Sequence, residues 1–212
     1  FHSYLKHADV RLVGVEAAIA DVGKGTALGK VIGNGCVAAG KHTGHHRVPA
    51  VRGQAIPAWD PRPLKATGVT YASSAMGADH TAGLIVNPGL PADQFAQASQ
   101  EVQLVNAVCD SSGFCQFVQP TLDDIRQYYG PMYGREVSRE EIADQGWQIL
   151  ADEWEFNRRA GFTAADDVLP KCMQEDAIGP AKVVFDVPAA VIADAKVRKA
   201  ARENLFTTKA AG

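Results

Sequence analysis

Apolar residues recur at intervals of three and four along much of the chain, which is the spacing of amphipathic helices. A helix is predicted over residues 92–107, with an apolar stripe of Phe95, Ala98, Val102, Val105 and Val108. A longer helix is predicted over 138–161, with an apolar face of Ala143, Trp147, Leu150 and Trp154. No βαβ alternation and no repeat of fixed period accompanies them. The pattern predicts a mainly α fold of irregular helical domains with long loops.

Capping signals predict where several helices begin and end. Thr121 and Ser138 are each followed three residues later by an acidic residue, as in a helix-starting capping box. The helix that follows Thr121 is predicted to end at Gly130-Pro131. Pro188 is predicted to open a last helix that extends to about residue 206.

Composition excludes several classes of protein. The 212 residues are 46% hydrophobic and 21% charged, with a formal net charge of −3. A nucleic-acid-binding domain usually carries a basic surplus, so no nucleic-acid partner is expected. No apolar run is long enough for a membrane span. Four cysteines are too few for a disulfide scaffold of this size, which favours a reducing, cytoplasmic setting. The chain begins with Phe rather than Met, which predicts a fragment of a longer protein.

Two stretches invite a ligand-binding interpretation that their spacing does not support. The segment GKGTALGK at 23–30 has three residues between Gly25 and Gly29, whereas a phosphate loop needs four, followed by Lys and Ser or Thr. The histidine-rich loop at 41–62 lacks carboxylates or cysteines at metal-ligand spacing, so its histidines are expected to face solvent. A short strand is predicted within it at 48–51.

Two further segments remain open to chemistry. The stretch 68–83 consists almost entirely of small residues, which allow close backbone approach, and it carries His80. The sequence VCDSSGFC at 108–115 follows the first long helix. Its turn requires neither Cys109 nor Cys115, so each thiol serves either packing or chemistry.

Three stretches, in this order, resemble the C-terminal part of the aldehyde ferredoxin oxidoreductase family of tungsten-pterin enzymes. They are VRGQAIPAWDPRPLKATGVTYASSAMGADHTAG, CDSSGFC and NRRAGFTAADDVLP. The earlier segment GKGTALGKVIGNGCVAAGKHTG is also similar to the family. Each motif alone is weak, but the ordered set covers nearly the whole chain.

The resemblance implies roles for five residues. Asp110 would hold the amino-bearing edge of a pterin, and Cys115 would be one of the four thiolate ligands of a [4Fe-4S] cluster. Gly113 would turn the backbone between them. Phe114 stands where the family commonly has Leu, beside the cofactors. His80 falls where the family places a histidine close to the metal, and it would orient substrate or move a proton.

The resemblance also implies a division into domains and a set of missing parts. Residues 1–50 would end a middle helical domain, and residues 51–212 would form the C-terminal helical domain. The three other cluster cysteines, the first pterin-binding element and the N-terminal pterin-gripping domain have no counterpart in the sequence. The tungstopterin or molybdopterin and the cluster would both require that missing part, and the fragment alone is expected to be inactive.

Two kinds of function therefore remain. The first is the C-terminal part of an enzyme that oxidises aldehydes to carboxylic acids, with ferredoxin or a similar carrier as electron acceptor. An aromatic acyl-thioester reductase of the same family is a close variant. In either enzyme, the partners of this chain would be the N-terminal part of the same enzyme and, in a homodimer, a second copy. The other kind is a cofactor-free helical binding or scaffold module, in which Cys115 is an ordinary thiol and Asp110 a former of the helix end.

Overall fold

The computed structural model describes residues 15–210, and helices dominate this part of the chain. The helices are α1 (Val15–Lys24), α2 (Ala27–Gly33), α3 (Gly35–Thr43), α4 (Lys65–Ser73), α5 (Phe95–Ser112), α6 (Leu122–Tyr133), α7 (Arg139–Arg159), α8 (Lys171–Glu175) and α9 (Ala189–Asp194). Short 3-10 turns occupy His80–Ala82, Ala92–Gln94, Gln116–Val118, Ala164–Asp166 and Glu203–Phe206. The predicted mainly α fold is confirmed.

The only strands among the described residues form one small hairpin. Strand β1 (Ala50–Val51) pairs antiparallel with β2 (Gln54–Ala55), which shortens the strand predicted at 48–51. None of the helices described is long and apolar enough to cross a membrane. The predicted boundary at residue 50 lies just before this hairpin, and the division into two domains stays a prediction.

Helix α5 is the central element because its two halves belong to different hydrophobic cores. Phe95 and Ala96, in the first half, pack in a core with α4 and α9, here called the α4 core. The second half packs with α6 and α7 in the α7 core, to which it contributes Leu104, Val105, Val108 and Cys109. The predicted apolar stripe of this helix is therefore buried, apart from the half-buried Ala98.

A layer of buried polar side chains lies between α4 and α5, and we call it the polar seam. The Thr70 and Ser99 hydroxyls are hydrogen-bonded at 2.8 Å. The Gln103 Nε2 donates to both the Ser73 Oγ and the Ser99 Oγ, each at 2.9 Å. Because buried polar groups are costly unless they are paired, these bonds fix how the two helices sit against each other.

Glycines allow the close packing around α5. A Cβ on Gly146 of α7 would lie 2.7 Å from Leu104 Cδ2 and 2.8 Å from Val108 Cγ2. A Cβ on Gly83 would lie 2.6 Å from Val102 Cγ1. Neither position has room for a methyl group unless the contacting side chains of Leu104, Val108 or Val102 shift.

Arg52 ties three distant segments together. Its guanidinium donates to the carbonyl oxygens of Ala72 (2.7 Å) and Ser74 (2.5 Å) at the end of α4. It also forms an ion pair with Asp167, which Lys196 joins from after α9. Only 4% of the Arg52 side chain is exposed. A planar guanidinium suits this position because it can donate hydrogen bonds to several acceptors at once.

Some predicted helix ends differ from the structure. The Thr121 capping box with Asp124 is confirmed, but α6 continues through Pro131 to Tyr133. A proline so close to the end removes only one helical hydrogen bond, and the left-handed Gly134 provides the stop. The Ser138 hydroxyl accepts from the Glu141 N–H, but the Glu141 carboxylate binds Arg135 instead, so only half of that box forms.

The last predicted helix is much shorter than expected, since α9 ends at Asp194. The Gln100 side chain donates to the carbonyl oxygens of Ala195 (3.1 Å) and Val197 (2.6 Å) and draws the chain away from the helical path. These two carbonyl oxygens therefore have hydrogen-bond partners without a further helical turn. The extended segment continues to the turn at Glu203–Phe206.

Gly146→Ala is expected to destabilise the chain by about 1–3 kcal/mol, because the added methyl overpacks the contact with α5. Chemical denaturation monitored by circular dichroism measures the change. Gly23→Ala in α1 is the matched control, since a Cβ there meets nothing within 4 Å. The control is expected to be neutral or to stabilise by up to about 1 kcal/mol. Equal effects of the two substitutions would contradict the packing described.

Arg52→Lys is expected to cost about 2–4 kcal/mol, because a lysine cannot keep all three acceptors in a buried site. Arg47→Lys is the control, since Arg47 pairs with Asp176 and has 49% of its side chain exposed. An exposed ion pair contributes about 0–1 kcal/mol, so that change is expected to be small. Urea unfolding of both variants gives the comparison, and a small loss at position 52 would refute the role given to Arg52.

Candidate functional site

The C-terminal end of α5 presents the two residues predicted to bind cofactors. The helix continues five residues further than predicted, through Asp110 to Ser112, and ends at Gly113 in the left-handed conformation (φ 78°). Glycine adopts this conformation without steric cost. Asp110 and Cys115 are both exposed. Asp110 precedes this turn in the sequence, and Cys115 follows it. The turn therefore separates a surface carboxylate from a surface thiol by five residues.

The small-residue segment that carries His80 packs beside this helix end. The Asp79 carboxylate accepts from the Thr81 N–H at 2.8 Å and starts the 3-10 turn His80–Ala82. The Thr81 carbonyl then accepts from Asn106 Nδ2 on α5 (2.7 Å) and from Gln116 Nε2 (2.9 Å). These bonds hold the His80 turn against the second half of α5.

Gln116 connects the two predicted parts of the site. Its Nε2 donates to Asp110 Oδ1 at 2.9 Å as well as to the Thr81 carbonyl. The side chain of Gln116 thus links Asp110 to Thr81, the residue next to His80. The sequence separates these residues by about thirty positions, so only the fold joins them.

His80 itself is partly accessible. One third of its side chain is exposed, and its Nδ1 lies 3.8 Å from Asp79 Oδ1, too far for a hydrogen bond. The imidazole is therefore accessible to a group that binds beside the His80 turn.

The two cysteines of the motif have different surroundings. Cys109 is fully buried in the α7 core, and its Sγ lies 3.5 Å from the Phe114 carbonyl oxygen. Burial, helped by the charge of Asp110, raises the pKa of this thiol to about 11. Such a thiol is a poor ligand at neutral pH because metals bind the thiolate. Cys115, by contrast, is exposed and free.

Phe114 anchors the loop between Gly113 and Cys115. Its ring meets Tyr128 of α6 edge to face, with centroids 5.1 Å apart, and packs against the α7 core. This contact positions the neighbouring Cys115. The predicted contact of Phe114 with a cofactor stays a prediction.

Cys115 has no companion ligands in the part of the chain described. Over residues 15–210, no three His, Cys, Asp or Glu side chains come together in a way that could hold a metal ion. A [4Fe-4S] cluster is held by four thiolates. Further ligands for such a cluster would have to come from elsewhere.

A small recess opens beside Asp110, and sequence reasoning did not identify it. Its volume is about 40 Å³, and its lining includes Ser74 and Met76 from the small-residue segment, Gln103, Asn106 and Asp110 from α5, and Glu153 from α7. Gln103 Oε1 is buried and has no hydrogen-bond partner within residues 15–210. Such an orphaned acceptor is rare in folded proteins.

A sequence signal for this recess does exist. Polar residues on α5 recur at helical spacing at Ser99, Gln103, Asn106 and Asp110. A stripe of polar residues on a largely buried helix indicates that their side chains need hydrogen-bond partners on that face. Glu153 has no such signal, because only the packing of α7 brings it to Asp110.

Glu153 is electrostatically unusual. Its side chain reaches solvent, but desolvation by neighbouring atoms and then the negative charge of Asp110 raise the pKa of its carboxyl. Two carboxylates that line one recess repel each other unless a proton or a donor group separates them.

Two larger clefts contain none of the predicted site residues. The larger of the two, about 700 Å³, lies between α5, α7 and the segment 198–202. Two of its cations are paired with acidic residues of the same chain, since Arg139 binds Asp123 and Glu203, and Arg198 binds Asp144. The second, about 390 Å³, lies around the Arg52–Asp167 ion pair. Size alone therefore does not identify the functional site.

The described residues form a mainly helical fold, and its central helix α5 ends beside the His80 turn. The family model described as "Aldehyde ferredoxin oxidoreductase, domains 2 & 3" matches residues 12–195. The chain therefore belongs to the aldehyde ferredoxin oxidoreductase family, as its motifs predicted.

Individual relatives agree with this assignment. The chain is 27% identical, over 77% of its length, to the tungsten-containing aldehyde ferredoxin oxidoreductase of Pyrococcus furiosus. It is 30% identical to the proteins of the same name from Pyrococcus abyssi, over 62% of its length, and Thermococcus kodakarensis, over 60%. The matches cover 30%, 24% and 24% of those relatives, so the chain spans less than a third of their length.

Glu153→Gln is expected to raise the melting temperature at pH 7 but not near pH 3.5. Because the pKa of Glu153 is raised, the folded chain binds more protons than the unfolded chain between the two pKa values, and stability falls as pH rises through that window. An amide does not ionise and so avoids this loss. Thermal melts at both pH values measure it.

Asp152→Asn is the control for this prediction. Asp152 is the neighbouring residue on α7, and its carboxylate is exposed and accepts from Gln148 at 2.7 Å. A gain at neutral pH confined to position 153 supports the described surroundings of Glu153. A similar gain in both variants would instead reflect the net charge of the chain.

Proposed function

We propose that this chain forms the C-terminal, cofactor-facing part of a tungsten- or molybdenum-pterin oxidoreductase that converts aldehydes to carboxylic acids. The observation that carries the proposal is the helix end at Gly113, where an exposed carboxylate and an exposed thiol stand beside the His80 turn in a chain of this family. The relatives named above are tungsten-containing aldehyde ferredoxin oxidoreductases.

The residues present suit the cofactors of such an enzyme. Asp110 offers carboxylate oxygens to the N–H groups of a pterin, in charge-assisted hydrogen bonds. The side chain of Gln103 lines the recess next to Asp110. Cys115 offers one accessible thiolate, the ligand type of iron–sulfur clusters. Acceptors for the pterin and a thiolate for the cluster thus lie on one short loop.

Each side chain has a task that its surroundings support. Asp110 is held by Gln116, so its free oxygen keeps a fixed direction toward a ligand. Phe114 is fixed on Tyr128 and holds Cys115 at the surface. His80 has Nδ1 toward Asp79, which leaves Nε2 to take up or return a proton near bound substrate. Oxidation of an aldehyde with water releases two protons and two electrons, so a proton acceptor is needed.

The bound metal–pterin centre supplies the two-electron chemistry, while the protein provides binding, orientation and electrostatics. A [4Fe-4S] cluster held in part by Cys115 would supply an electron-transfer site toward ferredoxin or a similar carrier. Since Cys115 is a single ligand and the chain spans less than a third of its relatives, the remaining ligands and the other side of the pterin site belong to the rest of the enzyme. The described part alone is then inactive.

Cys115→Ala in the complete enzyme is expected to abolish the visible absorption of the cluster, because one of four thiolates is lost. Iron analysis and the visible spectrum of anaerobically purified protein measure the loss. Cys109→Ala is the matched control from the same loop. It removes a buried thiol at a cost in stability of about 1 kcal/mol and is expected to keep the cluster.

A full cluster in the Cys115→Ala variant would overturn the ligand assignment. A complete enzyme without iron, tungsten or molybdenum would favour the cofactor-free scaffold instead. In that case Cys115 is an ordinary surface thiol, and Asp110 serves only to end α5.

A further inference from the structure

The backbone carbonyl oxygens of residues 72–75, at the end of α4, all accept hydrogen bonds from side chains that are distant in sequence. Arg52 donates to the first of them at 2.7 Å and to the third at 2.5 Å. Trp154 Nε1 donates to the second at 2.9 Å, and Asn157 Nδ2 donates to the fourth at 2.8 Å. We call these three donor residues the carbonyl clamp.

The end of α4 is open to such donors because of its backbone conformation. The last carbonyls of a helix have no partner within the helix, and water or a following left-handed glycine commonly supplies the donors. Helix α4 instead passes into extended backbone at Ser74 (φ −67°, ψ 150°). Arg52 is buried, and Trp154 and Asn157 are half-buried. The clamp bonds are therefore partly shielded from competing water.

The carbonyl clamp holds the root of the segment that leads to His80. Beyond the clamp, the Ser74 hydroxyl donates to the Gly77 carbonyl at 2.9 Å. The Asp79 N–H donates to the same carbonyl at 2.8 Å. The Asp79 carboxylate then accepts from the Thr81 N–H at 2.8 Å. Because each turn is built on the one before it, the place of His80 depends on where the clamp holds the chain.

The far end of the same segment is held by a different helix. The Thr81 carbonyl accepts from Asn106 of α5 and from Gln116, which follows α5. Loss of a clamp bond from α7 therefore leaves the His80 turn attached to α5. The expected consequence is a displaced or more mobile turn rather than an unfolded chain.

We propose that Trp154 and Asn157 are positioning residues for His80. The inference rests on the proposed function, in which His80 takes up or returns a proton near bound substrate. Such a group must lie within hydrogen-bond reach of the proton that it moves. A displacement of about 1 Å can lower the rate of a reaction by about 100-fold. The two α7 side chains thus act on the reaction through the backbone of the His80 segment.

Two substitutions remove one clamp donor each and keep most of the side chain. Asn157→Asp replaces the donor with an acceptor of the same shape, and Trp154→Phe removes the indole N–H. Asn34→Asp is the control for the first, since Asn34 Nδ2 also donates to a backbone carbonyl (Lys30, 2.8 Å), far from α7 in sequence. Trp147→Phe is the control for the second. Trp147 packs on Trp154 with ring centroids 5.8 Å apart, and within residues 15–210 its indole N–H donates no hydrogen bond.

The first measurement is hydrogen–deuterium exchange of the complete protein, followed by mass spectrometry over residues 76–83. Both clamp variants are expected to exchange about 3- to 10-fold faster there than the unsubstituted protein, because one hydrogen bond no longer restrains the segment. The controls are expected to leave this exchange unchanged. If Trp154→Phe fails to fold in thermal melts, Asn157→Asp still decides, since Asn157 lies at the wall of the open 390 Å³ cleft.

The second measurement is steady-state aldehyde oxidation by the complete enzyme, expressed per bound metal. The clamp variants are expected to lower kcat at least about 10-fold and to change KM by less than about 2-fold, because proton transfer is impaired while substrate still binds. A purely structural role would lower the melting temperature without this separation of kcat from KM.

Unchanged exchange over residues 76–83 in the clamp variants would overturn the proposal. An unchanged kcat in metal-loaded variants, or an equal fall of kcat in the controls, would overturn it as well. A complete protein that contains no metal centre contradicts the proposed function itself. Metal analysis before the kinetic assay separates that failure from a failure of the carbonyl clamp.

Discussion

The hydrogen bonds that Gln103 makes in the polar seam are the interaction on which the rest of the site depends. Its amide nitrogen binds two hydroxyls, Ser73 on α4 and Ser99 on α5. This contact holds the two helices together and fixes the orientation of the Gln103 amide. A hydrophobic residue at this position would join the two cores, but it would leave the Ser73 and Ser99 hydroxyls without this donor.

Small residues make this arrangement possible. Gly146 brings α7 close to α5, and with it Glu153 comes to the side of Asp110. Gly83 lets the segment after His80 lie against Val102. Arg52 holds the end of α4 and connects it to Asp167, which lies between α7 and α8. The motifs that resemble the family, although widely separated in sequence, thus meet around the same three helices.

The sequence predicts the helical class well because apolar spacing and capping are local properties. The stripe on α5 and the Thr121 cap are found where they were expected. The end of α9 was not predicted, because Gln100 reaches it from another helix. For the site, Asp110, Cys115 and His80 came from a family resemblance. Gln103 could have been found from the polar stripe on α5. Glu153 could not, since its proximity to Asp110 is a consequence of tertiary packing alone.

The central claim is that the face around Gly113 belongs to a metal–pterin enzyme. Elemental analysis of the complete protein, purified without oxygen from cells supplied with tungstate and molybdate, tests it most directly. About four irons and one tungsten or molybdenum per chain, with an extractable pterin, are expected. A folded complete protein that contains neither iron nor either heavy metal would contradict the claim, and the helix end at Gly113 would then be a structural feature only.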